Sequence, residues 1–244
     1  MVSTDMAVVA CTGIGLYAAW RVFTKVLSAP YPVDPRELAC RTCSAIHAAP
    51  VSAVAVLAVV GVAPPWVGAL CMSVSIGYFI QDAIVVLSMG TEPNFAPILA
   101  HHVLCGAAMA TMLTISRPNI WYGNFLQCTE VTIPFQFASW LLEIYGANKS
   151  WPRTYAVVRW LMAILWVSFR IVLMGGFIYV VWRDWSALDT ISRLNGVLLG
   201  PFLTAFNIGG LVKVVLPGLP SWPPTASTGT GTGSSTGTSK GKQP

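Results

Sequence analysis

Two adjacent histidines, His101 and His102, stand in the apolar run LAHHVLCG at residues 99–106, and the chain has only one other, His47. An imidazole can take a proton from an attacking amine or accept an acyl group itself, and a carboxylate beside it fixes its tautomer. Similar apolar runs hold two acids, Asp82 and Glu130, and one cation, Arg170. Ionisable groups in hydrocarbon are costly, so each one marks a function or needs a named partner. Glu143, His47 and Arg159 lie closer to segment ends, where snorkelling or interfacial hydrogen bonding accounts for them.

Spacing assigns the partners. Ser75, Tyr78 and Asp82 fall on one helical face at i, i+3 and i+7. Asn124, Gln127 and Glu130 form a second stripe, and both stripes should line a bundle interior or a wet cavity. At a rise of 1.5 Å per residue, the histidines lie roughly 6–8 Å from one membrane face and Asp82 roughly 9 Å. The simplest pairing is therefore Asp82 with a histidine. Glu130 and Arg170 reach a common level from opposite faces, which predicts a second pair. Pro134 removes the amide that would bond the Glu130 carbonyl, so a kink is expected beside that acid. Adjacent histidines diverge by about 100° on a helix; one should face the cavity while the other bonds a neighbouring helix.

These side chains need long apolar elements to hold them. The 244 residues are 55% hydrophobic and 9% charged, against about 25% charged in soluble domains. That deficit excludes a soluble globular protein. Stretches near the ~20 residues that span a bilayer recur at about 6–27, 43–61, 67–88, 97–116, 122–145, 155–181 and 194–216. The segments are continuously apolar, without the alternation of membrane strands, so an all-α membrane protein with seven transmembrane helices is expected. No basic stretch precedes the first segment, which argues against a signal peptide. With the N-terminus outside, ten Lys and Arg fall in cytosolic loops and three (Arg117, Arg183, Arg193) opposite. Positive charge inside then sets the N-terminus luminal and the C-terminus cytosolic.

The net charge of +5 mostly reflects that topology, and no basic cluster suits nucleic acid. Cys40 and Cys43 have metal or redox spacing, but no second pair completes a zinc site, so packing or palmitoylation is expected and no metal. The histidines also lack the i, i+4 helix spacing of zinc ligands. The Gly/Ser/Thr-rich tail, 217–244, cannot bury enough apolar surface to order itself.

The elements RTCSAIHA at 41–48, GYFIQD at 77–82, the pair His101 and His102, and TEVTIPF at 129–135 together resemble the TLC domain, the TRAM–LAG–CLN8 family. That resemblance implies a domain over 41–216, its six helices forming a barrel around a lipid cavity. Residues 1–40 would add an accessory helix and a cytosolic loop. In ceramide synthases, members of this family, the paired histidines serve N-acyl transfer from acyl-CoA to a sphingoid base. His101 and His102 with Asp82 would be catalytic here, and Tyr78, Asn124, Gln127, Glu130 and Arg170 would contact substrate. The chain departs from ceramide synthases where further aspartates are expected, reading QCTEVTIPF with Glu130 as the one acid. It looks more like the small TLC-domain-containing proteins, which are tied to membrane lipid composition.

The residues fit two readings. One is an acyltransferase with acyl-CoA as co-substrate and no resident cofactor. The other is a non-enzymatic lipid-binding protein that senses, chaperones or regulates membrane phospholipids. Either belongs in the endoplasmic reticulum or another endomembrane.

Overall fold

The computed structural model describes residues 2–26, 33–89, 95–115 and 120–220, so the tail beyond residue 220, Arg117 and the lysines Lys240 and Lys242 lie outside the described residues. Among the described residues all regular structure is helical. Helix α1 is Val2–Val26, α2 Pro35–Val59, α3 Pro65–Met89 and α4 Phe95–Thr114. Next come α5, Ile120–Gln127, a 3-10 turn, Cys128–Val131, α6, Thr132–Ile144, and the single turn α7, Ala147–Ser150. Helix α8, Pro152–Leu165, runs through a π-helical turn, Trp166–Val172, into α9, Leu173–Arg183. Helix α10, Thr190–Gly210, ends in a second π turn, Leu211–Val215, and a 3-10 turn, Leu216–Gly218.

Six stretches are long and apolar enough to cross a membrane: Met6–Val26, Pro35–Val59, Pro65–Met89, Ala96–Thr114, Pro152–Arg183 and Thr190–Gly218. The predicted fifth helix, 122–145, differs in kind. It follows one helical path broken at Cys128–Val131. Pro134 cannot donate to the Glu130 carbonyl. The Thr132 amide turns back to the Glu130 and Thr129 carbonyls instead. The Thr129 and Thr132 hydroxyls bond the Leu126 and Thr129 carbonyls, which tightens the turn further.

Helix α2 begins well before the apolar stretch that announced it. Asp34 caps it, accepting from the Arg36 amide at 2.8 Å, and Pro35 fits the first turn, where no intrahelical N–H is needed. An Arg41–Glu37 pair at 2.8 Å then lines its exposed side. Cys40 and Cys43 therefore sit on a helix, buried against Trp20 and Val85.

Helix α3 is central. It packs against α1, α2, α4 and α5, and 67% of its most apolar window is buried against 6% for α1. Helix α1 leans on it at a crossing of two glycines. A Cβ on Gly77 would lie 2.5 Å from the Val9 carbonyl oxygen, so only glycine allows this approach. Elsewhere the surface presents large apolar side chains such as Trp66, Val172 and Trp182, an exposure suited to lipid and not to water.

Candidate functional site

The polar stripe predicted on α3 meets a matching stripe on α2. Cys40, Ser44 and His47 recur at i, i+4 and i+7 and face Asp82, Tyr78 and Ser75 in antiparallel order. The Cys40 thiol donates to Asp82 Oδ1 at 3.2 Å. Tyr78 and Ser44 share a hydroxyl hydrogen bond of 2.8 Å, and His47 Nε2 lies 3.1 Å from Ser75 Oγ. The His47 ring stacks on Tyr78 with centroids 4.0 Å apart. From α5, Gln127 Nε2 donates to Ser75 Oγ at 2.6 Å. Each of the three α2 groups thereby gains a polar partner without solvent, although His47 Nδ1 keeps none among the described residues.

His47 thus belongs to the buried interior, and its interfacial reading from sequence is corrected. Helix α2 starts earlier than its hydropathy suggests, which places His47 at mid-helix. Arg159 is corrected too. It is buried, donating to the Ser139 hydroxyl at 3.2 Å and to the carbonyls of Gly218, Val214 and Val215 at 2.9–3.3 Å. Those carbonyls lie in the last turns of the final helix, so Arg159 ties down its end. Glu143 is exposed, as an interfacial side chain should be.

The fourth helix sets the two histidines to different tasks. His102 is buried, with Nδ1 3.1 Å from Asp82 Oδ2. The contact is off the line of the ring N–H, so it is a close polar approach and not a linear hydrogen bond. His101 points the other way, into a cavity. Its ring lies parallel to Phe206 at 4.8 Å, and its Nδ1 is 3.5 Å from Cys105 Sγ one helical turn on. The two ring centroids are 5.4 Å apart.

That cavity, of about 20 Å³, lies between α3, α4, α5, the two turns at 128–131 and 166–172, α9 and α10. Its polar wall is His101, Gln127, Thr129, Glu130, Arg170 and Asn207, and its apolar wall includes Phe79, Met109, Met112, Met174, Leu199 and Leu203. Four predicted site residues stand outside it: His102, Asp82 and Tyr78 form the seam behind, while Asn124 bonds the Ile120 carbonyl and packs on Gly68.

Glu130 and Arg170 both line this cavity and interact through their charges, but no hydrogen bond or salt bridge joins them directly among the described residues. Arg170 Nε donates to Thr132 Oγ1 at 2.7 Å, Nη1 to Asn207 Oδ1 at 3.3 Å, and the guanidinium covers the Trp166 ring at 4.7 Å. The broken turn carries Thr132 to the guanidinium and leaves the acid elsewhere in the cavity wall. Thr132, Asn207, Phe206 and Cys105 carry no site signal in the sequence, because each is uncharged and only packing shows what it touches.

The family model for the TLC domain matches residues 39–216. No curated protein matches the chain, and no solved structure does.

Proposed function

Since this chain belongs to the TLC-domain family and its helices are built for a membrane, we propose that it binds a membrane lipid between its helices and thereby acts in membrane lipid metabolism. One observation carries the reading: a cavity inside the bundle joins Glu130, Arg170, Gln127 and His101 to a wall of apolar side chains. A lipid has the same two parts. At about 20 Å³ the cavity holds a water-sized group, so a head group would meet the polar wall and an acyl chain would enter only as the unbranched side chains of Met109, Met112 and Met174 swing aside. In this arrangement Ile120–Ile144 crosses as the fifth of seven spans despite its break, and the last six surround the cavity as a barrel. The N-terminus is luminal and the C-terminus cytosolic, in the endoplasmic reticulum or a related membrane.

A second reading, N-acyl transfer from acyl-CoA to a sphingoid base, is favoured by the Asp82–His102 contact. His101, in the cavity wall, would meet the acyl carbonyl, and the Asp82–His102 pair behind it would hold the imidazoles in register. One experiment separates the two readings. Purified protein receives long-chain acyl-CoA with and without sphingoid base, and CoA release, N-acyl product and co-purifying lipid are measured for the parent, His101→Ala and His102→Ala. N-acyl product that disappears in both variants supports transfer. Bound lipid without product leaves the binder, and a folded protein with neither overturns both.

A further inference from the structure

Cys105 and His101 form a thiol–imidazole pair within the cavity wall. Both line it, the sulfur stands 3.5 Å from Nδ1, and the Phe206 ring holds the imidazole in that orientation. The thiol is not alone in pointing to a ligand. Glu130, 8% exposed, lines the same cavity with no hydrogen bond from a described residue, and Gln127, 1% exposed, has an Oε1 without a partner there. Buried groups of this kind are costly unless something binds them. The other buried cysteines differ. Cys71 and Cys128 donate to backbone carbonyls, and Cys40 to the Asp82 carboxylate.

We propose that Cys105 is an acyl-accepting thiol that takes a long-chain acyl group from an acyl-CoA thioester. This rests on the reading that the cavity admits lipid chains. The thiolate is the nucleophilic form, so His101 Nδ1 takes the thiol proton as Sγ attacks the thioester carbonyl. Arg170 is the cation available in the same wall for the carbonyl oxygen that becomes negative. The new Cys105 S–C bond forms, the C–S bond to CoA breaks, and the imidazole returns its proton to the departing thiolate. One thioester is exchanged for another, and no oxidant or reductant is consumed. The chain is then anchored covalently beside the methionine wall, open to attack by a lipid amine or hydroxyl.

The test uses full-length protein in nanodiscs with palmitoyl-CoA, followed by intact-mass and peptide analysis before and after neutral hydroxylamine. A single palmitoyl adduct is expected on Cys105, removed by hydroxylamine. It should be absent in Cys105→Ser and Cys105→Ala and at least tenfold slower to form in His101→Gln. Each variant's melting temperature and co-purified lipid are measured alongside. An adduct on another residue, or none in protein that still carries lipid, overturns the acyl-thiol assignment and leaves lipid binding intact. Protein that is folded yet binds neither lipid nor palmitoyl-CoA overturns the cavity reading as well.

Discussion

Arg170 shows how a single side chain is kept charged in hydrocarbon. Two uncharged acceptors and a Trp ring surround it and the Glu130 charge acts on it within the cavity, so its desolvation is offset without a direct bond to a carboxylate. Thr132→Val would strand Nε and should cost about 1–3 kcal/mol, read as a lowered melting temperature in detergent. Glu130→Gln, which breaks no direct bond to Arg170, should lower it less. Equal losses would show that the acid and the guanidinium depend on one another across the cavity. Outside the spans, Asp184 accepts from Arg183 at 2.6 and 2.8 Å and from the Tyr122 hydroxyl at 2.7 Å. Those bonds, Arg183's first, hold its carboxyl down from 3.8 to about 2. A depressed acid stabilises the fold above its unfolded value and loses that contribution as pH falls through its folded value. Melting temperature should therefore decline between about pH 4 and pH 2 through this group. Tyr122→Phe should shrink that decline, and an identical pH profile would remove Tyr122 from the account.

At the scale of elements, two glycines look alike in the sequence and differ in the bundle. A Cβ at Gly77 would meet the Val9 carbonyl oxygen at 2.5 Å and Thr12 Cβ at 2.8 Å on α1, and a helix backbone cannot step aside. A Cβ at Gly123 would come as close, 2.5 Å, but to Met72 Cε, the far end of a flexible side chain. Gly77→Ala should therefore destabilise by about 1–3 kcal/mol and loosen α1, measured as faster protease cleavage between α1 and α2. Gly123→Ala should be milder on both counts. The break at Cys128–Val131 is an element feature as well. Pro134 made it legible in advance, because a missing amide is a covalent fact. The π turn at Trp166–Val172 carried no comparable sign, although it holds both Trp166 and Arg170 in the buried interior.

For the whole molecule, the family match spans 39–216 and leaves α1 outside it. Yet α1 closes the back of the Asp82 seam: Trp20 packs on Ala39, Cys40 and Cys43, and its Nε1 donates to the Arg36 carbonyl at 3.2 Å. Removing residues 1–26 should expose that seam, lowering the melting temperature more than removing the tail after residue 222 does. The tail deletion should leave lipid retention unchanged, and its loss would mean that the tail has a task. Orientation is tested by glycosylation tags at each end: modification of an N-terminal tag alone is expected, and the reverse pattern would invert the topology.

Composition and periodicity by themselves determined that the chain is helical, that it belongs in a membrane and that the ionisable groups within its apolar runs should face inward. These follow from terms that act on each segment alone: the cost of bare backbone and of charge in hydrocarbon. Tertiary structure decided the rest. It turned His101 to the cavity and His102 to the seam, and it brought His47 into the interior. It also gave Arg170 to Thr132 and Asn207, and set Cys105 beside an imidazole. Such partners depend on helix rotation and on where a helix breaks. A rotation of one residue, about 100°, exchanges one neighbour for another without changing the hydropathy of the segment at all.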